Sequence, residues 1–304
     1  MILLICLLTC LYEARACDIC GCGVGSYYIG ILPEFKKRFL GLRYQYKTLR
    51  SHLGPGGTTS YLTTDETYQT AELWGGWNIG KRFRILGFLP VNFNSRENQG
   101  ATMRKSGIGD IAVIGYYQLL DKQQTILNNK LLIQSLWIGG GIKTPTGRYE
   151  PAERLENEDT PNNFQLGTAS TDFTLNAMYD VRLMDVGINT NVSYKINTTN
   201  RYDYRYGNKF SANILAYYKI RVAEKMTIAP NAGVLYETAA KDKEDKKYTT
   251  DISGGYSLMA TTGIEATVGS FSVGANFQPV ISQRLADQRV KAGNRGMVHV
   301  TYLF

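Results

Sequence analysis

The 304-residue chain carries 34 Lys+Arg against 26 Asp+Glu, a net charge of +8, with 43% hydrophobic residues and a mean hydropathy of -0.23. Only Ile2 to Leu11 is continuously apolar, too short to cross a bilayer as a helix, so a helical membrane protein is excluded. Aromatics at 12% exclude a disordered chain, and 21 Tyr and 31 Gly beside only 8 Pro favour strands. Because the basic residues are dispersed rather than clustered, the positive charge does not point to nucleic acid.

Met1 to Leu11 followed by Ala14-Arg15-Ala16 has the apolar core and small-x-small ending of a secretory signal, so residues 1–16 read as a removed address. A cut before Cys17 would instead leave a lipidated N-terminus. Residues 17–35 form a Cys-rich segment beginning Cys17-Asp18-Ile19-Cys20-Gly21-Cys22-Gly23. Three thiolates so close suit a soft metal, copper or zinc, and Cys17, Cys20 and Cys22 are its candidate ligands. A disulfide between two of them is the competing use in an oxidising compartment. Val24 to Pro33 reads as a linker or a plug tucked into whatever follows.

From residue 36 to 304 the pattern alternates by two. Leu40, Leu42, Tyr44 and Tyr46 alternate with Gly41, Arg43, Gln45 and Lys47. Val186, Ile188, Thr190 and Val192 do the same against Asp185, Gly187, Asn189 and Asn191. Period two means strands with one apolar and one polar face. In chain order they fall near 36–48, 68–80, 82–94, 106–120, 130–143, 164–181, 184–196, 206–220, 225–238, 252–266, 270–283 and 292–304. The links alternate in length. Long ones are expected at 49–67, 95–105, 144–163, 197–205, 239–251 and 284–291, and short ones at 79–81, 182–183, 221–224 and 267–269. The link at 121–129 is intermediate. Long outer loops and tight periplasmic turns are the habit of outer-membrane barrels, whereas a soluble sandwich has no reason to sort its loops. The predicted fold is therefore all-β: an antiparallel up-and-down transmembrane barrel of about twelve strands in the outer membrane of a Gram-negative-type bacterium.

With apolar rows facing lipid, the opposite rows face the lumen, because charge is expensive against lipid and tolerable in a wet or internally paired interior. That places Arg43, Lys47, Glu72, Arg84, Asp110, Lys143, Asp172, Asp180, Asp185, Lys195, Lys219, Glu237, Glu265 and His299 inside. Their mixed signs argue against strong ion selectivity. Twelve strands lie between the filled eight-stranded and the open sixteen-stranded barrels, so both a narrow path and an interior sealed by salt bridges remain open.

Val298, Val300, Tyr302 and terminal Phe304 form an apolar row ending on an aromatic, which resembles the C-terminal signal read by the outer-membrane assembly machinery. Ser106-Gly107-Ile108-Gly109-Asp110-Ile111 and Gly141-Ile142-Lys143-Thr144-Pro145-Thr146-Gly147 resemble motifs of the outer-membrane transporters of the phenol-degradation meta-pathway family, themselves similar to fatty-acid and aromatic-hydrocarbon channels. The resemblance implies a barrel admitting small solutes, often apolar or aromatic. Read physically, Gly107 and Gly109 let the strand kink with Asp110 pointing inward, most simply into a structural salt bridge, while Pro145 and Gly147 turn the chain out of its strand. The clustered N-terminal cysteines are not part of that family pattern.

No catalytic set is legible. His52 follows Ser51 directly in the long first loop, His299 points into the lumen, and Gly54-Pro55-Gly56-Gly57 is a turn with no nucleotide-binding context. The function expected is a channel or transporter for small solutes rather than an enzyme. The alternative is a non-conducting barrel subunit of a surface complex whose Cys-rich N-terminus binds metal or a partner.

Overall fold

The computed structural model describes residues 37–126, 129–150, 164–222, 226–244 and 247–304. The predicted signal segment and Cys17, Cys20 and Cys22 lie outside the described residues.

The barrel strands follow in chain order. They are β1 (Phe39–Ser51), β2 (Thr64–Ile79), β3 (Phe83–Asn98) and β4, in two segments (Ala101–Ile108 and Ala112–Ile126). Next come β5 (Lys130–Lys143), β6 (Asp172–Leu183), β7 (Val186–Ile196) and β8 (Lys209–Tyr218, continued by Ile220–Val222). The last four are β9 (Met226–Ala239), β10 (Gly255–Val268), β11 (Phe271–Gln278 and Val280–Leu285) and β12 (Lys291–Leu303). Each strand pairs antiparallel with its sequence neighbour, and β12 returns to pair with β1 from Phe39↔Leu303 to Arg50↔Lys291. The sheet closes on itself, which leaves no strand edge along the wall.

The links are sorted by end, with one exception at 99–100. Those at 80–82, 127–129, 184–185, 223–225 and 269–270 are short, and Phe39 and Leu303 share their end of the barrel. The opposite end carries the longer links at 52–63, 144–171, 197–208 and 240–254.

Three expectations are corrected. Residues 95–105 are not a long loop: β3 and β4 continue to a two-residue turn in which Gln99 (φ 49°) and Gly100 (φ 81°) are both left-handed. Such a turn matches the twist of its flanking strands, so the hairpin runs on. Residues 121–129 belong largely to β4 rather than to an intermediate link. Residues 164–171, predicted as strand, instead fold into the lumen, with Phe164 fully buried and Gln165 and Leu166 nearly so. An apolar stretch can be hidden by entering a barrel as well as by joining its wall.

The wall is apolar outside and mixed inside. Leu40, Leu42, Tyr44 and Tyr46 are exposed, while Phe39, Arg43 and their inward neighbours are covered. Outward aromatics gather in two bands. Trp77, Phe83, Tyr218, Phe271, Tyr302 and Phe304 lie at the short-link end, and Tyr44, Tyr46, Phe93, Tyr194, Tyr236 and Tyr256 lie toward the long-link end. Such rings settle at the two membrane–water interfaces, so the bands bracket the lipid-facing zone.

Inside, Phe39, Trp74, Leu86, Phe88, Ala112, Ile114, Tyr116, Trp137, Met178 and Leu303 form one apolar cluster. Phe39 meets Trp74 edge-on with centroids 4.6 Å apart, a geometry that contributes about 0.5–1.5 kcal/mol beyond burial. A second cluster, Leu235, Met259, Leu285, Ala286, Val290 and Ala292, packs beneath the β11–β12 link.

The barrel lumen as candidate functional site

β4 is interrupted at Gly109-Asp110-Ile111, opposite Pro90 of β3. Proline has no N–H to donate, and the register shifts by one residue between the two segments of β4. The Gly109 N–H donates to the Pro90 carbonyl at 2.9 Å, and the bulge turns Asp110 into the lumen, where it is buried. β5 ends beside it at Lys143, also buried. Lys143 Nζ donates to Asp110 Oδ2 at 2.5 Å and reaches Asp172 Oδ2 at 2.9 Å, while Lys195 Nζ lies 3.3 Å from the same Asp172 oxygen. Two carboxylates and two ammonium groups thus form a neutral network.

That network also anchors the inward loop. Gly147 N–H donates to Asp110 Oδ1 and Thr168 N–H to Asp110 Oδ2, both at 2.9 Å. The Thr168 hydroxyl bonds the Lys143 ammonium, and Ser170 Oγ donates to Asp172 Oδ1 at 2.8 Å. Gly147 and Gly167 are required by closeness: a Cβ on Gly167 would lie 2.5 Å from Asp110 Oδ1 and 2.6 Å from the Gly147 carbonyl. Thr146 Oγ1 donates to the Gly109 carbonyl and accepts from the Ile111 N–H, each at 2.8 Å. The two glycine-containing motifs singled out in sequence are therefore in direct contact.

Toward the short-link end a second group crosses five neighbouring strands, from β10 through β12 to β1 and β2. Arg43 stands opposite Glu72 on one side and His299 on the other, and its guanidinium pairs with the Glu72 carboxylate. His299 Nε2 lies 3.0 Å from Glu265, reached across Gly274, where a side chain would overlap both partners. Trp74 caps this group, its ring edge-on to His299 at 5.8 Å and 5.1 Å from the Arg43 guanidinium.

Of the residues predicted to face inward, Arg43, Glu72, Asp110, Lys143, Asp172, Lys195, Glu265 and His299 are all buried inside the barrel. They fall into the two groups just described. Lys47 is half-buried, with its ammonium 5.3 Å from the Tyr68 ring. Asp185 departs from expectation, while the Lys219 ammonium lies 5.6 Å from the ring of the buried, inward-facing Tyr217. The turn at 184–185 ends the alternation, so Asp185 sits at the short-link rim, pairs with Arg221 at 2.9 Å and accepts the Lys219 N–H on its carbonyl. Ser51 and His52 do meet: Ser51 Oγ lies 3.1 Å from His52 Nδ1, but it donates to Glu66 at 2.7 Å, anchoring the first loop on β2. Among the described residues no cluster of three or more His, Cys, Asp or Glu could hold a metal.

The inward aromatics were not predicted. Runs such as Ile85-Leu86-Gly87-Phe88-Leu89 are apolar on both faces, a signal that the lumen here is not simply polar.

A closed barrel of twelve strands, with an apolar outer band between aromatic girdles and an ion-paired interior, is a transmembrane β-barrel of the Gram-negative outer membrane. The chain belongs to the family described as putative MetA-pathway of phenol degradation, whose model matches residues 47–279. Its fold is similar to that of an outer membrane channel from Pseudomonas putida F1, at 14% identity, over 88% of this chain and 96% of that one, with a TM-score of 0.60. The β domain of the Bordetella autotransporter BrkA aligns over 88% of this chain and all of its own, at 10% identity and a TM-score of 0.48. None of the curated proteins matches the chain in sequence.

Proposed function

We propose that this barrel is a channel passing small solutes across the outer membrane through its lumen, with apolar or aromatic compounds as its solute class. The observation that carries the solute class is the inner wall of β1–β6. There Phe39, Trp74, Phe88, Tyr116, Trp137 and Met178 pack into one buried cluster inside a barrel whose interior in a general porin would be polar. Such a wall offers ring faces and a polarizable thioether to a solute that sheds water poorly against charge. The lumen charges described above are paired with one another, which suits passage of uncharged compounds better than selection of ions.

Planar-bilayer recording of the refolded protein, paired with solute influx into proteoliposomes, tests this reading. Discrete conductance steps are expected. Silence in both assays with folding confirmed would overturn it in favour of a sealed scaffold, the reading favoured by the inward loop at 164–171 and by the closed ion pairs. Two further assignments belong with the proposal: Cys17, Cys20 and Cys22 as a soft-metal or disulfide site, and the β12 row ending at Phe304 as the contact for the barrel-assembly machinery. Metal analysis and thiol titration of the mature protein decide the first; Phe304→Ala, read as the fraction assembled into membranes, decides the second.

A further inference from the structure

The lumen has a second wall of different chemistry. On β6 and β7 the polar side chains use one another: Asn191 Nδ2 donates to Asn189 Oδ1 at 2.6 Å, and Asn189 Nδ2 to Asp180 Oδ2 at 3.3 Å. Beyond them the pairing is incomplete, although Asn231 Nδ2 donates to the Ala229 carbonyl at 3.3 Å. Asn213 Oδ1, Asn231 Oδ1, Thr261 Oγ1 and both ends of the Asn276 amide are buried without a hydrogen-bond partner, and the four residues are at most 6% exposed. A buried polar atom left unpaired costs about 1–3 kcal/mol, so native proteins fill such positions with water or ligand.

These groups are not scattered. Asn231 of β9 and Asn276 of β11 both flank Gly263 of β10. A Cβ at Gly263 would lie 2.9 Å from Asn231 Oδ1 and 3.0 Å from Asn276 Nδ2, so only glycine lets the two amides turn toward the same point of the wall. One step along β9, Thr261 stands opposite Gly233, and one step further Asn213 stands opposite Leu235. The three levels are two residues apart on an extended strand, so the unpaired groups climb roughly 13 Å along the wall.

We infer that Asn231 and Asn276, then Thr261, then Asn213 form a track of hydrogen-bonding sites for the polar edge of a solute whose apolar face meets the aromatic wall. The inference rests on the channel reading and narrows it: the solutes are neutral molecules with an apolar side and hydroxyl or amide groups, not bare hydrocarbons. Each polar group of the solute leaves one unpaired amide or hydroxyl as it meets the next, which offsets part of the loss of its hydration along the passage.

The test uses phenyl β-glucoside, a neutral probe with an aromatic ring and several hydroxyls that crosses lipid poorly. Influx into proteoliposomes is measured beside potassium chloride conductance for the full-length protein and for a combined Asn213→Ala, Asn231→Ala, Asn276→Ala variant. Truncation widens the lumen, so a purely steric role predicts faster influx. The track predicts influx slowed several-fold with conductance unchanged or raised, and partial recovery when Asn231 is replaced by Ser instead of Ala. Should the combined variant fail to fold, as judged by loss of its heat-modifiable mobility, Asn276→Ala alone carries the same expectation. Influx unchanged, or rising in step with conductance, overturns the track and leaves the channel standing. So does a native protein that conducts but excludes the probe. A native protein that neither conducts nor admits the probe removes the channel reading and the track with it.

Discussion

Lys143 Nζ lies 2.5 Å from Asp110 Oδ2, and that contact joins the bulge of β4 to the end of β5 while fixing the loop that enters the lumen from above. The pair is held by the groups around it: two backbone N–H groups, two hydroxyls and a second carboxylate complete the network. Charges buried this deeply are tolerated only when paired and hydrogen-bonded.

Removing the cation alone is therefore the damaging change. Lys143→Met leaves Asp110 and Asp172 buried near one another, and the barrel is expected to lose about 3–5 kcal/mol of stability in urea titration. Adding Asp110→Asn to Lys143→Met removes one orphaned charge and should recover part of the loss. A double variant no more stable than Lys143→Met would show that the two groups are not coupled.

The lipid-facing zone makes a second prediction. Ile264 points outward on β10, 48% exposed and between the two aromatic bands. Ile264→Arg places a charge near the middle of the bilayer and is expected to cost about 2–4 kcal/mol, measured as the shift in unfolding free energy in lipid vesicles. A neutral result would mean that this face does not meet hydrocarbon.

Acidity should act through the link after β9. Asp242 is buried there, accepting from the Tyr204 hydroxyl and the Gly207 N–H, both at 2.6 Å. Burial raises its carboxyl above the ordinary value of 3.8, and these donors only partly oppose that. An acid raised on folding stabilises the fold fully below its unfolded pKa and loses that contribution as pH rises through its folded pKa. The native protein should thus lose unfolding midpoint relative to Asp242→Asn as pH increases from 3.5 to about 7. A difference that stays flat with pH would place the ionisation of Asp242 outside the stability of this loop.

The wall was legible because strand geometry writes itself into local sequence. Alternation such as Leu40-Gly41-Leu42-Arg43 fixes both the secondary structure and the face, and the inward placement of Arg43, Glu72, Asp172, Lys195 and His299 followed from parity alone. Asp110 and Lys143 were found as motif residues, but their contact was not visible, since 33 residues separate them. What local pattern could not show was the destination of Phe164 and Leu166. Their apolar character is equally satisfied by a strand and by a loop turned into the lumen, and Asp110 and Thr168, remote in sequence, decide between the two. Trp74 and Trp137 were missed for a related reason: assigning every apolar side chain to lipid leaves none for the interior. The two-residue turn at Gln99-Gly100 was hidden by polar flanks that read as loop but pair as strand.

The pairing of Phe39 with Leu303 joins the two ends of the barrel sequence, so the ring is complete only when its last strand arrives. Until then β1 and β12 each present a row of unmatched backbone donors and acceptors, costly within hydrocarbon. A chain caught partway through membrane entry therefore has no restful halfway form, and contacts so far apart in sequence are slow to meet unaided. For this protein, assembly is a race to shut the seam, and truncation of the final strand should forfeit the whole cylinder rather than one stave of it.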